Sequence, residues 1–125
     1  MSGNRRALVV DDNEVNRMLV GRLLAKDGWR VAMVEDGAAA LAWMRANGAE
    51  LVLLDISMPG LSGEEVCRMA RAEALCPDAK LVAYTAHAMP EERTQFLACG
   101  FDGILTKPIS RSHVLDMLAA LGLDR

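Results

Sequence analysis

Three carboxylates and one lysine directly follow short apolar runs of this sequence. Asp11 and Asp12 follow the first run, Asp55 follows a second, and Lys107 closes another run near the end of the chain, before Pro108. Carboxylate oxygens are ligands that Mg²⁺ prefers, and an ammonium group offers a counter-charge to an anion. If these side chains met, they would suit a divalent cation together with a phosphoryl group.

Parallel strands would bring these side chains together. The runs at residues 7–10 and 51–54 are rich in Val and Leu and lack alternating polar residues, which predicts strands buried on both faces of a parallel sheet. In such sheets, ligands bind beyond the carboxyl ends of the strands. We therefore expect the polar residues at those ends to converge on one edge of the sheet.

Strand and helix patterns alternate along the whole chain, without a linker or a break in composition. The predicted strands cover residues 7–10, 31–34, 51–54, 80–84 and 103–106. The predicted helices cover about residues 13–28, 39–45, 63–73, 90–98 and 110–121, the first of them capped by Asn13 and ended by Gly28. Five consecutive βα units predict an α/β fold in which helices cover both faces of one doubly wound parallel sheet.

Composition narrows the class of protein and its partners. The chain has 125 residues, 52% of them hydrophobic, and a formal net charge of -3 without a block of Lys or Arg, which argues against direct nucleic-acid binding. No apolar stretch approaches the roughly 18 residues that span a bilayer, and no signal peptide is evident. The three cysteines are odd in number and lack a C-x-x-C spacing, so we expect reduced thiols and a cytoplasmic location, with no membrane partner.

Each candidate residue also has an ordinary structural interpretation. Asp11 and Asp12 could form a solvated turn or cap a helix, Asp55 could end a strand, and Thr85 could be a β-former at a strand end. Taken together, the three acids favour a functional site over these structural roles, because two carboxylates about 4 Å apart repel by about 4 kcal/mol at an effective dielectric of 20. A bound cation would offset that repulsion. No glycine-rich nucleotide motif follows the first strand, so a covalent or transient phosphoryl group is favoured over a bound nucleotide.

The full set of site residues resembles the receiver domain of two-component response regulators. The resemblance extends over about residues 6–121, and its most specific segments are residues 54–60 and 106–109. It implies a flavodoxin-like (βα)5 fold with strand order 2-1-3-4-5, and a single receiver domain over residues 1–125. The matching residues are Asp11-Asp12, Asp55, Thr85-Ala86 and Lys107-Pro108.

The resemblance also implies a role for each matching residue. Asp55 would be the phosphoacceptor, with Thr85, Ala86 and Lys107 contacting the phosphoryl group. Mg²⁺ would be bound by Asp11, Asp12, Asp55 and the backbone carbonyl of Ser57. The Lys107-Pro108 bond would be cis.

Together these residues would make the domain a phosphoacceptor switch in a phosphorelay. It would take a phosphoryl group reversibly from a histidine kinase or a histidine phosphotransfer protein. Such a domain is a phosphoacceptor and not itself an enzyme. It would be associated with kinase activity only if it were an excised part of a hybrid histidine kinase.

One position departs from the family pattern. Receivers that couple phosphorylation to their output face usually carry Tyr or Phe three residues before the lysine, where this chain has Ile104. We expect Ile104, at the switch position, to couple the site weakly to that face.

Two further segments, residues 10–17 and 85–89, resemble receivers of hybrid histidine kinases and of some single-domain regulators. The first strand begins soon after Met1, as suits a stand-alone protein, although an excised receiver would look the same. A homodimer is left open.

Two other classes of function compete with the switch. A Mg²⁺-dependent aspartyl-phosphate phosphohydrolase needs a general acid two residues after its nucleophile, and position 57 is Ser. A receiver that only binds protein and is never phosphorylated would be expected to have lost part of the site, whereas here the three acids and Lys107 are all present.

Overall fold

The computed structural model describes residues 5–86, 89–107 and 109–123. His87, Ala88 and Pro108 lie outside those ranges, so the predicted cis bond at Pro108 stays a prediction. The strands are β1 (Arg6–Val10), β2 (Arg30–Val34), β3 (Leu51–Asp55), β4 (Lys80–Thr85) and β5 (Gly103–Thr106). The helices are α1 (Glu14–Lys26), α2 (Gly37–Ala46), α3 (Gly63–Ala72), α4 (Pro90–Cys99) and α5 (Arg111–Ala120).

The five strands form one parallel sheet in the order β2-β1-β3-β4-β5. The predicted doubly wound α/β fold and its strand order are confirmed. Each element also lies within a few residues of its predicted position; α2, for example, starts at Gly37 rather than at residue 39. None of the helices in the described part of the chain is long and apolar enough to cross a bilayer.

Two apolar cores lie on opposite faces of the sheet. Helices α1 and α5 pack against one face, through Leu24 and Leu118 among others, and helices α2, α3 and α4 pack against the other. Strands β1 and β3 are buried on both faces, as their unbroken apolar runs predict. Strand β2 is more exposed, because it is an edge strand with a single neighbour.

Side-chain caps start four of the helices. The Asn13 side chain accepts the Asn16 N–H at 2.9 Å, which turns the chain from the end of β1 into α1. Asp36, Ser62 and Ser110 cap α2, α3 and α5 in the same way. The loops before α1 and α2 are only three and two residues long, whereas seven residues, 56–62, separate β3 from α3 at the carboxyl edge of the sheet.

Helix α3 approaches the end of β3 very closely. A Cβ atom at Gly63 would lie 2.5 Å from the carbonyl oxygen of Asp55, closer than any side chain tolerates. Glycine at the first position of α3 therefore lets the helix pack directly against the backbone of Asp55.

Candidate functional site

Strand register brings the acidic residues to one point at the carboxyl edge of the sheet. Val10 of β1 lies opposite Leu54 of β3. The next residue of each chain segment, Asp11 after β1 and Asp55 at the end of β3, therefore lies at the same height in the sheet. One carboxylate oxygen from each of Asp11, Asp12 and Asp55 lies within 4.8 Å of the others. The predicted convergence of the three carboxylates is thus observed.

The three carboxylates differ in burial and in their partners. Asp11 and Asp55 are 0% and 1% exposed, whereas Asp12 faces solvent. One Asp11 oxygen, Oδ1, accepts the Asn13 N–H at 2.8 Å. Its Oδ2 is buried and has no hydrogen-bond partner among the described residues. Leaving a buried carboxylate oxygen without a donor costs free energy, so this atom needs a positive partner.

Asp55 is held by two donors at a single oxygen. Its Oδ1 accepts the Ser57 N–H at 3.1 Å and the Lys107 ammonium at 3.2 Å. The pKa of Asp55 is raised to about 6: burial is the main cause and the Asp11 charge contributes, while Lys107 and the Ser57 N–H act in the opposite direction. The burial cost outweighs the attraction of the lysine, so the charged form of Asp55 is stabilised incompletely by the protein alone.

The acidic cluster fits a Mg²⁺ ion. Its donors are all carboxylate oxygens, which are the ligands of Mg²⁺ rather than of zinc or copper. The Asp11 Oδ2, which accepts no hydrogen bond from the described residues and has the Lys107 ammonium no closer than 4.0 Å, and the three convergent oxygens leave negative charge for a cation to neutralise. Asp11, Asp12 and Asp55 would hold the ion, and the predicted contribution of the Ser57 carbonyl stays a prediction.

Both the backbone and the side chain of Lys107 make contacts that fix its position. Its backbone N–H donates to the Thr85 carbonyl at 2.7 Å, and its ammonium lies 3.2 Å from Asp55 and 4.0 Å from Asp11 Oδ2. Thr85 is buried at the end of β4, and the exposed Ala86 follows it. Thr85 and Ala86 therefore lie at the same edge as the acids, as predicted, while their contacts with a phosphoryl group stay predictions.

Ile104 lies on the other face of the sheet from Tyr84 and Leu105. It pairs with Ala83 in register and packs, half-buried, against the core beneath α2, α3 and α4. It also lines a cavity of about 270 Å³ at the outer edge of β5, together with His113 and Asp116 of α5. No contact of Ile104 with the acidic cluster is found among the described residues, and weak coupling at this position stays a prediction.

Two residues near the site were missed by sequence reasoning. The Arg17 guanidinium donates to the Asp11 carbonyl at 2.8 Å, which ties α1 to the end of β1. Tyr84 is 2% exposed, pairs with Asp55 in register, and places its ring centre 4.6 Å from the Lys107 ammonium. No local sequence pattern marked Tyr84, because its position beside Lys107 depends on the pairing of Tyr84 with Leu105 in the sheet.

The Tyr84 hydroxyl contributes no charge to the site at neutral pH. The pKa of Tyr84 is raised to about 12, mainly by burial and to a smaller extent by the charges of Asp11 and Asp55. The ring that lies beside the Lys107 ammonium is therefore uncharged.

Known proteins match this sequence over nearly its whole length. The family model described as the response regulator receiver domain matches residues 7–119. The sensor protein GacS of Pseudomonas syringae pv. syringae is 40% identical over 116 residues, covering 90% of this chain and 13% of GacS. The sensory transduction protein RegX3 of Mycobacterium tuberculosis is 35% identical over 114 residues, covering 91% of this chain and 49% of RegX3. The chain thus spans half or less of these relatives.

Solved structures match the fold. The chemotaxis protein CheY4 of Vibrio cholerae superposes with a TM-score of 0.88 at 26% identity, over 94% of this chain and 98% of CheY4. The receiver domain of the sensor histidine kinase PA1611 of Pseudomonas aeruginosa gives a TM-score of 0.84 at 29% identity, over 94% of this chain and 96% of that domain. That structure is described with a magnesium ion coordinated in its active site cleft.

The sequence match, the strand order and the acidic edge beside Lys107 agree with one another. The expected resemblance is therefore confirmed, and with it the class of function, a phosphoacceptor switch of two-component signalling. The chain belongs to the response regulator receiver domain family.

Proposed function

We propose that Asp55 is the phosphoacceptor of this receiver. The observation that carries the proposal is the position of its buried carboxylate, which contacts the Lys107 ammonium at 3.2 Å and lies in a cluster with Asp11 and Asp12. An Asp55 oxygen attacks phosphorus as the N–P bond of a phosphohistidine breaks. The bonding electron pair stays with the leaving imidazole, which takes up a proton. Hydrolysis of the acyl phosphate returns the carboxylate and free phosphate.

The neighbouring residues of this chain stabilise the transferred group. Lys107 is already 3.2 Å from Asp55 and offsets negative charge that develops on the phosphoryl oxygens. The hydroxyl of Thr85, the last residue of β4, and the N–H of Ala86, the next residue, donate to those oxygens from the same edge. A Mg²⁺ ion held by Asp11, Asp12 and Asp55, with the Ser57 carbonyl, supplies further charge neutralisation when bound.

Receiver domains of two-component systems interact with histidine kinases or phosphotransfer proteins, and we infer a donor of that kind here. Residues 1–125 would act as one receiver domain, either within a hybrid histidine kinase or as a stand-alone regulator. The free cysteines agree with a cytoplasmic site of action. The domain would serve as an acceptor rather than as an enzyme, and direct binding to nucleic acid or to a membrane is not part of the proposal.

A phosphohydrolase is the weaker interpretation of the same acids. Its general acid would stand two residues after Asp55, where the exposed Ser57 contributes a backbone N–H to Asp55 instead. A hydroxyl at this position is a poor proton donor compared with a carboxylic acid.

Intact mass measurement tests the proposal. Incubation with acetyl phosphate and Mg²⁺ should add one phosphoryl group, and Asp55→Asn should abolish the addition. Asp78→Asn, an exposed acid after α3, is the matched control and should be labelled like the parent. Labelling that survives in Asp55→Asn would place the acceptor elsewhere.

A further inference from the structure

Tyr84 lies between the phosphoacceptor strand and the strand that leads to the lysine. In the sheet, Asp55 of β3 pairs with Tyr84 of β4, and Tyr84 pairs with Leu105 of β5. Paired residues of parallel strands point to the same face, so the Tyr84 ring fills the space between Asp55 and β5. Lys107, two residues after Leu105, has to cross that space to reach Asp55.

The lysine crosses over the face of the ring. Its ammonium lies 4.6 Å from the centre of the Tyr84 ring, within the range of a cation–π contact. The same nitrogen lies 3.2 Å from Asp55 Oδ1 and 4.0 Å from Asp11 Oδ2. Within the described part of the chain, Asp11, Asp55 and Tyr84 are thus the partners of the ammonium, and of these three Tyr84 is the uncharged one.

The ring is rigid, while the lysine stem is flexible. Tyr84 is 2% exposed and belongs to the core beneath α1 and α5, together with Val82 and Leu105. Lys107 is 22% exposed, so water could otherwise compete for its ammonium. A fixed apolar face under the ammonium shields it from water and restricts its movement to the region above Asp55.

We propose that Tyr84 is a positioning residue for phosphorylation, whose buried ring face holds the Lys107 ammonium beside the acidic cluster. When Asp55 becomes an acyl phosphate, one of the two carboxylates that also hold the lysine is converted to an anhydride, whereas the ring does not change. Tyr84 therefore keeps the ammonium within reach of the phosphoryl group before and after transfer. The inference rests on the proposed role of Lys107 at Asp55.

A ring-current measurement tests the placement without any phosphorylation. The chain has three lysines, so protein labelled with ¹³C at the lysine ε-carbon gives three signals. The Lys107 ε-methylene protons should resonate upfield of those of Lys26 and Lys80, because they lie over an aromatic face. The shift should persist in Tyr84→Phe, which keeps the ring, and disappear in Tyr84→Leu.

The kinetic arm compares the same two variants. Tyr84→Leu should slow labelling by acetyl phosphate and Mg²⁺ about three- to tenfold, the range expected for loss of one cation–π contact. Tyr84→Phe should be labelled within about twofold of the parent. Should Tyr84→Leu fail to fold, Tyr84→Met, which fills the core flexibly, takes its place.

The two arms separate this inference from the proposed function. A Lys107 signal that does not lie upfield in the parent overturns the inference, as does equal labelling of the Phe and Leu variants. A parent protein that is not labelled at all contradicts the proposed function instead, and the position of the Lys107 signal still decides whether Tyr84 holds the lysine.

Discussion

The acidic cluster and the ion pairs around α3 use the same kinds of side chain with opposite results. At the acidic cluster, three carboxylates meet one lysine, and a buried Asp11 oxygen lacks a hydrogen-bond donor among the described residues. Beside α3, by contrast, the charges of Arg71 and Asp102 are matched: Arg71 donates to the Gly100 carbonyl at 2.8 Å and pairs with Asp102 at 2.8 Å. Asp102 in turn accepts the Leu81 N–H at 2.9 Å.

The difference between these two groups of charges distinguishes charges that bind a ligand from charges that stabilise the fold. Matched charges at a partly exposed position join α3, β4 and the chain after α4, and they need no further partner. Unmatched negative charges at a buried position raise the free energy of the folded protein until a cation interacts with them. The acidic cluster therefore has the properties expected of a ligand site, whereas the α3 pairs are part of the scaffold.

Removal of an acid from the cluster should give the largest effect. Asp12→Ala removes the exposed carboxylate of the three, which lies close enough to share a cation with Asp11 and Asp55. We expect Mg²⁺ affinity to fall about 100-fold, equivalent to about 2.7 kcal/mol, as measured by calorimetry. Glu73→Gln, which changes an exposed acid of the Arg45 pair, is the control and should leave the affinity unchanged. Equal affinity of Asp12→Ala and the parent would disprove a shared site.

Neutralising Asp55 should raise stability, but only above acidic pH. Because the pKa of Asp55 is raised to about 6 in the folded state, the folded protein favours its protonated form. Below about pH 4 the Asp55 carboxyl is largely neutral in both the folded and the unfolded parent. As the pH rises through about 6, the folded parent has to carry the buried charge, and its free energy of unfolding falls. In metal-free buffer, Asp55→Asn should therefore gain about 2 kcal/mol of unfolding free energy at pH 7 and almost nothing at pH 3.5.

Urea unfolding of Asp55→Asn and the parent at both pH values measures this gain. A gain of the same size at pH 3.5 would show that relief of charge is not its cause. Saturating Mg²⁺ should remove the gain by stabilising the parent.

Disruption of the α3 pairs should lower stability without affecting the cation site. Arg71→Ala removes the donor to the Gly100 carbonyl and the partner of Asp102, at a cost of about 1–1.5 kcal/mol in urea unfolding. Mg²⁺ affinity should stay within about twofold of the parent, because the altered contacts involve neither Asp11 nor Asp55. A large loss of Mg²⁺ affinity in Arg71→Ala would break the proposed separation of scaffold and site.

Local patterns were enough to predict the strands and helices and their succession along the chain. Unbroken apolar runs predict β1 and β3, and the polar residues at their ends predict the edge where a ligand binds. Helix starts at Asn13 and Ser110 were predicted close to their observed positions, because a capping side chain needs only its own backbone neighbours. The strand order came from the family resemblance and not from these patterns.

The sequence by itself determined which residues end each strand, and hence that three carboxylates and a lysine share one edge. Only the tertiary structure decided that Asp11 is buried while Asp12 is exposed, and that Tyr84 lies beneath Lys107. Adjacent residues of a strand point to opposite faces, so their surroundings depend on register and on the strands beside them. Those neighbours come from distant parts of the chain, such as Asp55, Tyr84 and Leu105, and no local pattern specifies their pairing.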